Sequence, residues 1–526
     1  HKIGIIVDTT YPTNQDYGNS GPQHVTLEYN GEVKFPNNGT SFRSASDHNL
    51  GTFSAGDVMG MAFDFTGTNR NVWFHRANTY GTASGGLGNP ATGANPIVTA
   101  SNLNSTGPYR FHFGINNGPV LRLNFGQDGT FGGTETAQGN TDENGNGDFY
   151  YAVPAGFLAL CSANIPEPTI GSNSDTQADD HFNTVIYTGN DAANRGITGV
   201  GFKPDFLWHK SRDATNWHFL FDSNRGVDKR LSSNVSNAEG DATGLDSFDS
   251  DGFTVDHEAS AQDMNASAHT YVAWNWKANG GTTTTNDASA TSVGATDSVF
   301  QANTDAGFSI VTYTGTGSAT TFAHGLGGVP EVMIIKNRTG GDHSWAGFYH
   351  HLMAGTAAAS ATDYLSLNGT GGVADDATIW NDTPPTSTVF TVGTAANTGG
   401  SKNYVGYFLR GIEGYSKMGS YVGNGNADGA FVYLGFRPAW IMTKCSSNGS
   451  TNWFIHDDVR NPINPANINM HPNLTNVEGD VTATHHIDML SNGYKPRGTG
   501  AEINGSGRTY IYMAFAEAPF KYANAR

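Results

Sequence analysis

The segment Asp142-Glu-Asn-Gly-Asn-Gly-Asp148 sets side-chain oxygens at alternating positions 142, 144, 146 and 148, with glycines that permit a tight turn. Oxygen donors at that spacing are how a short loop gathers ligands around Ca2+. The twelfth position of an EF-hand loop would be Val153 rather than a bidentate Glu, so an EF-hand is excluded and a simpler Ca2+ loop through Asp142, Asn144, Asn146 and Asp148 is left. The competing reading is an Asn/Gly/Asp-rich turn before the strand-like Phe149-Tyr-Tyr-Ala152, and it outweighs the ion. No other cofactor is expected.

Carboxylates that could serve as a glycosidase pair occur at Glu239/Asp241 and Glu478/Asp480. That chemistry needs two carboxyls held roughly 5–9.5 Å apart across a sugar cleft. Both pairs sit in copies of one motif, Asn237-Ala-Glu-Gly-Asp241 and Asn476-Val-Glu-Gly-Asp480, which favours a turn or a packing role over catalysis. His350-His351 and His485-His486 are adjacent residues, so on a strand each pair points to opposite faces and cannot chelate one ion. Asp222…Arg225 and Asp458…Arg460 suggest an ion pair at a loop base. Trp217, Trp345 and Trp453 could stack on sugars, but their common place in a repeated unit argues for core positions. No nucleophile elbow and no phosphate-binding loop stands out, and the chain is expected not to be an enzyme.

The elements that must hold these residues repeat three times. Pro204-Asp-Phe-Leu-Trp-His-Lys210, Pro330-Glu-Val-Met-Ile-Ile-Lys336 and Pro438-Ala-Trp-Ile-Met-Thr-Lys444 are each followed by a tryptophan and, later, by a tyrosine-led strand at Tyr271, Tyr404 or Tyr510. The prolines are 126 (330 − 204) and 108 (438 − 330) residues apart, which is domain spacing rather than solenoid spacing. A strand can begin at proline, where the missing N–H costs nothing. The closing lysine is expected to lay its stem on the sheet and carry its ammonium to water. Tandem units of this kind build a rod or multiply a surface.

Composition agrees with short strands and many turns: 68 glycines, 14% charged residues and 37% hydrophobic residues in 526. The balance of 28 basic against 47 acidic residues gives −19, which argues against nucleic acid and against a basic membrane-binding face. No apolar run is long enough to span a membrane. Cys161 and Cys445 form no framework and are expected to be free thiols, as in a protein made in a reducing cytoplasm. The chain starts at His1 rather than Met, so further native sequence is expected to precede it.

The expected fold is all-β, as tandem antiparallel β-sandwich domains. Boundaries fall at 1–170, 171–290, 291–414 and 415–526, with Pro166-Glu-Pro168 as the first break. Short helical pieces are expected near Ala354–Ala361 and around Asp457–Pro462.

Two resemblances follow from these residues. Gly56-Asp-Val-Met-Gly-Met-Ala-Phe-Asp64, Asn71-Val-Trp-Phe74, Arg122–Gln127 and Pro154–Cys161 resemble a SPRY (B30.2-like) domain, which implies a concanavalin-type sandwich. Gly435-Phe-Arg-Pro-Ala-Trp440, Asn492-Gly-Tyr494 and the ending from Tyr510 to Arg526, which looks like a native C-terminus, resemble the tandem C-terminal domains of tail-fibre-like virion proteins of marine tailed bacteriophages. The resemblance implies a virion structural protein, synthesised in the host cytoplasm and carried on a tail fibre or other surface appendage. Its implied partners are other virion proteins, a host surface glycan or receptor, and further copies of itself, with a trimer implied. A decorating fibre without a receptor role and a polysaccharide-degrading tailspike are the alternatives.

Overall fold

The computed structural model describes residues 2–7, 24–28, 30–34, 48–66, 69–83, 86–99, 109–114, 120–164, 169–171, 174–257, 263–347, 363–480 and 484–518. It divides into two compact units, His1–Pro166 and Glu167–Arg526. Nearly all regular structure is antiparallel β, as expected.

In the first unit, a four-stranded sheet runs in the order Val33–Lys34, His24–Glu28, Lys2–Val7, Tyr109–Gly114. A second sheet pairs Met59–Asp64 with Asn71–Arg76 in a hairpin, and Thr79–Tyr80 follows. Val25, Leu27, Val33, Val72, Phe74 and Val98 form its apolar centre. Arg122–Gln127 and Pro154–Cys161 are irregular rather than strands. Local side chains win there: Asn124 Oδ1 accepts the Gly126 N–H at 2.7 Å and Gln127 Oε1 accepts the Phe125 N–H at 2.6 Å. These bonds offer the backbone an alternative to a ladder.

The second unit contains the three repeats, and each builds the same sheet. An opening strand (Phe182–Thr188, Phe308–Thr314 or Ser416–Val422) pairs with a closing strand (Thr270–Trp276, Asn403–Leu409 or Thr509–Ala516). The closing strand pairs in turn with the Pro-to-Lys strand (Phe206–Ser211, Val332–Asn337 or Pro438–Cys445). Phe219–Asp222 and Trp453–Asp457 add a fourth strand, reduced in the middle repeat to the bridge between Ile335 and Ala346. A smaller sheet faces each large one, led by Arg195–Thr198, Thr320–Ala323 or Val432–Tyr433.

In each repeat the opening and closing strands hold a stacked tyrosine pair, Tyr187–Tyr271, Tyr313–Tyr404 and Tyr421–Tyr510, with centroids 5.1, 5.1 and 5.0 Å apart. The first member of each pair donates its hydroxyl to a loop carbonyl, Met264 O, Thr398 O or Ile503 O. These loops are thereby pinned to the sheet.

The three repeats do not stand as beads on a rod. Phe206, Trp274 and Trp276 of the first, Phe308, Ile334 and Leu409 of the second, and Trp440, Met513 and Phe515 of the third lie in one continuous core. Asp457 ends a strand and is followed by a turn, so no helix forms over 457–462. The other expected helical piece, 354–361, lies outside the described residues. Among the described residues the α-helical pieces are Ala288–Thr291 and Ala377–Trp380, where Asp287 and Asp376 cap the N-termini.

Candidate functional site

The lysines that end the repeated strands are the least expected feature of the site. Lys210, Lys336 and Lys444 are all 0% exposed. The expectation that their ammonium groups reach water is therefore overturned. Lys336 Nζ donates to His343 O at 2.7 Å, Ser236 O at 2.9 Å and Asn337 O at 3.2 Å. Lys444 Nζ donates to Thr451 Oγ1 at 2.7 Å and Cys445 O at 3.0 Å, and Lys210 Nζ to Ser211 O at 2.6 Å and Ala214 O at 2.9 Å. Burial pushes each ammonium down to about 8, with only partial compensation from Asp213 and Glu478 at Lys210, Asp342 at Lys336, and Cys445 and Glu502 at Lys444. Neutral oxygens replace the lost hydration, so each lysine clamps the loop that follows its strand.

Just beyond each lysine, the chain meets the next repeat. Arg338 of the second repeat makes a two-pronged bond to Glu239 of the first, at 2.8 and 3.0 Å. Arg212 of the first does the same to Glu478 of the third, at 2.9 and 2.8 Å. The backbone pairs at the same places: Glu239 N–H to Arg338 O, Glu478 N–H to Arg212 O, and Val373 N–H to Ser446 O. Second joins first, first joins third, and third joins second. The ring of three is closed within one chain.

This geometry explains the Asn-x-Glu-Gly-Asp motif. Its Gly-Asp forms a short strand in the first and third repeats, and Ala374–Asp375 forms the matching strand in the second. The middle copy has Val373 for the glutamate, and the third has Ser446 where the others carry arginine. The two losses fall on opposite sides of one junction, so no charge is left unpaired there.

The Asp/Arg pairs lie deeper. Asp222 Oδ2 accepts from Arg225 Nε and Asp457 Oδ2 from Arg460 Nε, both at 2.6 Å and with both side chains fully buried. The pairing expected for Asp458 and Arg460 is corrected: Arg460 takes Asp457, while Asp458 faces Arg437 at 3.4 Å. Buried and beside other carboxylates, Asp458 is raised to about 7. Arg225 also reaches Glu239 at 2.9 Å, which links the buried pair to the junction.

The tryptophans are also sorted by register. Trp453 lies opposite Lys444, and Trp345, beside the Ile335–Ala346 bridge, lies opposite Lys336. Both are buried and donate across a junction, Trp345 Nε1 to Ser232 O at 2.8 Å and Trp453 Nε1 to Ser366 O at 3.1 Å. In the first repeat that place belongs to His218, and Trp217 is one residue earlier and only partly buried. The sequence held the signal: counting back from the Asp-x-x-Arg pair aligns His218, not Trp217, with Trp453.

In the first unit, all of Asp142's carboxylate is engaged. Oδ1 accepts the Asn144 and Asn146 N–H groups at 3.0 and 2.9 Å, and Oδ2 accepts Ala159 N–H at 2.9 Å and Asn164 Nδ2 at 2.5 Å. Asn144 and Asn146 in turn donate to Asn164 Oδ1, while Asp148 accepts from Gly129 N–H at 3.1 Å. These bonds give the loop its shape. Among the described residues no group of three or more His, Cys, Asp or Glu is arranged to hold a metal. His485 bonds Glu502 at 3.1 Å and leans on Phe454, and His350-His351 lie outside the described residues. Cys445 is buried and Cys161 half-buried, both free.

Where the three repeats meet, an apolar cavity of about 20 Å³ is lined by residues such as Phe206, Trp276, Phe308, Leu409, Trp440 and Phe515. It has room for about one water and offers no polar group to hold it. At the junctions the buried lysines bond protein oxygens, and Arg212 and Arg338 bond the glutamates of a neighbouring repeat.

Fold and site together define a β-protein whose three related sandwiches close into one ring-like body through buried lysines and cross-repeat ion pairs. Residues 177–519 match the family described as Domain of unknown function (DUF7483), and the chain belongs to that family. No curated protein and no solved structure matches it.

Proposed function

We propose that this chain is a non-enzymatic structural protein of a bacteriophage virion, a tail-fibre or adhesin component that contacts the host cell surface. The observation that carries this reading is the closed ring of three repeats. It spends the molecule's buried charges on rigidity and sets three related loop clusters on one body, and linked weak sites gain strength through effective concentration. The engagement of Glu239 and Glu478 with arginines supports a structural over a hydrolytic role. The first unit is proposed as the SPRY-like, concanavalin-type part of the chain. Other virion proteins and a host glycan or receptor are the proposed partners, and whole chains are proposed to assemble as a trimer.

Adsorption tests the proposal. Purified chain is expected to bind host cells and to compete with phage adsorption. Failure of both overturns it. New reducing ends released from host capsule would favour the tailspike alternative instead, and antibody labelling of a decorated capsid would favour a decorating fibre.

A further inference from the structure

The opening strand is the outer member of the large sheet in the first and third repeats, and the three copies finish that edge differently. In the second repeat the linker over residues 277–307 folds back, and its Ser298–Asn303 adds a strand beside Phe308–Thr314. There Val299 lies opposite Thr312, Phe300 opposite Val311 and Gln301 opposite Ile310. In the first repeat the edge is blunted by side chains. Asn183 Oδ1 accepts the Thr184 N–H at 2.8 Å, and Arg195 Nη1 donates to Thr188 O at 2.5 Å while lying over Tyr187.

The third repeat has neither device. Its linker is only residues 410–415, and it ends in an exchange of backbone bonds between Ile412 and Ser416. Gly423 N–H bonds Arg508 O and Ala516 N–H bonds Tyr415 O, so odd-numbered residues of the strand face the closing strand. The N–H and C=O groups of Met418, Ser420 and Val422 point the other way and have no hydrogen-bond partner among the described residues. Lys417 could guard such an edge, but its Nζ is drawn off to Tyr433 O at 3.0 Å and lies over the Tyr433 ring. Along the row, exposure rises from Met418 at 5% through half-buried Ser420 to Val422 at 53%.

We propose that the edge from Met418 to Val422 is a docking site for an extended segment of a partner protein, which adds to the sheet as Ser298–Asn303 does in the second repeat. The molecule supplies its own precedent for the chemistry. Gly419 stands where Val311 does, and a Cβ there would come within 2.5 Å of the Tyr512 hydroxyl. The buried Tyr512 side chain thus fills the place that a side chain at 419 would take. An uncharged segment with an apolar or aromatic residue opposite Gly419, in the role of Phe300, fits it.

Hydrogen–deuterium exchange of the full chain tests this with a synthetic peptide spanning residues 297–304 as probe. At millimolar peptide, exchange over 416–422 is expected to slow by about ten-fold or more, with no change over 182–188. The same peptide N-methylated at the positions of Val299 and Gln301, which lacks the donors that face the edge, is expected to give no protection. Ser420→Pro, which removes an outward N–H, is expected to abolish the effect without changing the far-UV spectrum. No protection by the first peptide overturns the proposal. So does equal protection by its N-methylated form, or a 416–422 segment already slow to exchange without peptide.

Discussion

The Tyr407 hydroxyl donates to Asp222 Oδ2 at 2.7 Å, tying the closing strand of the second repeat to a strand end in the first. The same position in the first repeat is Trp274, whose Nε1 donates to Asp457 Oδ2 of the third at 3.1 Å. Each aspartate therefore holds its own arginine and receives a donor from a neighbouring repeat. Tyr407→Phe leaves the buried Asp222 one donor short and is expected to cost about 1–3 kcal/mol. A fall in the urea midpoint at unchanged slope checks it.

The junction between the second and third repeats lacks the arginine–glutamate pair present at the other two. Val373→Glu alone buries an unpaired carboxylate and is expected to destabilise, as is Ser446→Arg alone. The double variant restores the missing partners and is expected to recover stability, with a coupling of about 0.5–3 kcal/mol in a double-mutant cycle. Strict additivity of the two changes would contradict the equivalence of the three junctions.

The buried lysines predict how stability responds to mild alkali. Each has a folded value near 8 against 10.5 for the free group. The folded state then binds fewer protons between those values, so this contribution to stability grows as pH rises through 8 towards 10.5. Buried tyrosines such as Tyr404, pushed up to about 12, act in the opposite sense above about pH 10. Chemical denaturation between pH 8 and 9.5 is expected to show rising stability, with a shallower rise in Lys336→Met.

Acid acts through the buried histidines. Burial pushes His209 and His456 down to about 3 and His324 down to about 4. Their contribution is present above about pH 6.5, where the unfolded histidines are neutral. It is lost as pH falls towards those folded values. The slope for one such group approaches about 1.4 kcal/mol per pH unit. Melting curves from pH 7 to 4.5 are expected to show this loss, reduced in His456→Phe.

Much of the local architecture was legible before any coordinates. The Pro-to-Lys runs are strands because three or four consecutive apolar residues bounded by proline and a polar end fit a doubly covered strand. The tyrosine-led closing strands follow from the same pattern. Pro166 marked the break between the two compact units. The repeated Asp-x-x-Arg spacing even held the correct alignment of His218 with Trp453. Arg122–Gln127 was read through its resemblance to a SPRY sandwich, and a resemblance does not reveal side chains that cap their own backbone.

The sequence by itself determined that the chain is all-β, that one unit is copied three times, and which strands carry the copies. Those features rest on local periodicity and turn chemistry, which neighbours along the chain decide. Only the tertiary structure decided that the copies close into a ring with one core. It also decided that Lys336 is buried against Ser236 O from another repeat, that Glu239 and Glu478 are junction residues, and that the outward backbone groups of Met418, Ser420 and Val422 have no partner among the described residues. The physical reason is that every one of those partners lies far away in sequence, and a lysine at a strand end reads alike whether water or a distant carbonyl receives its charge.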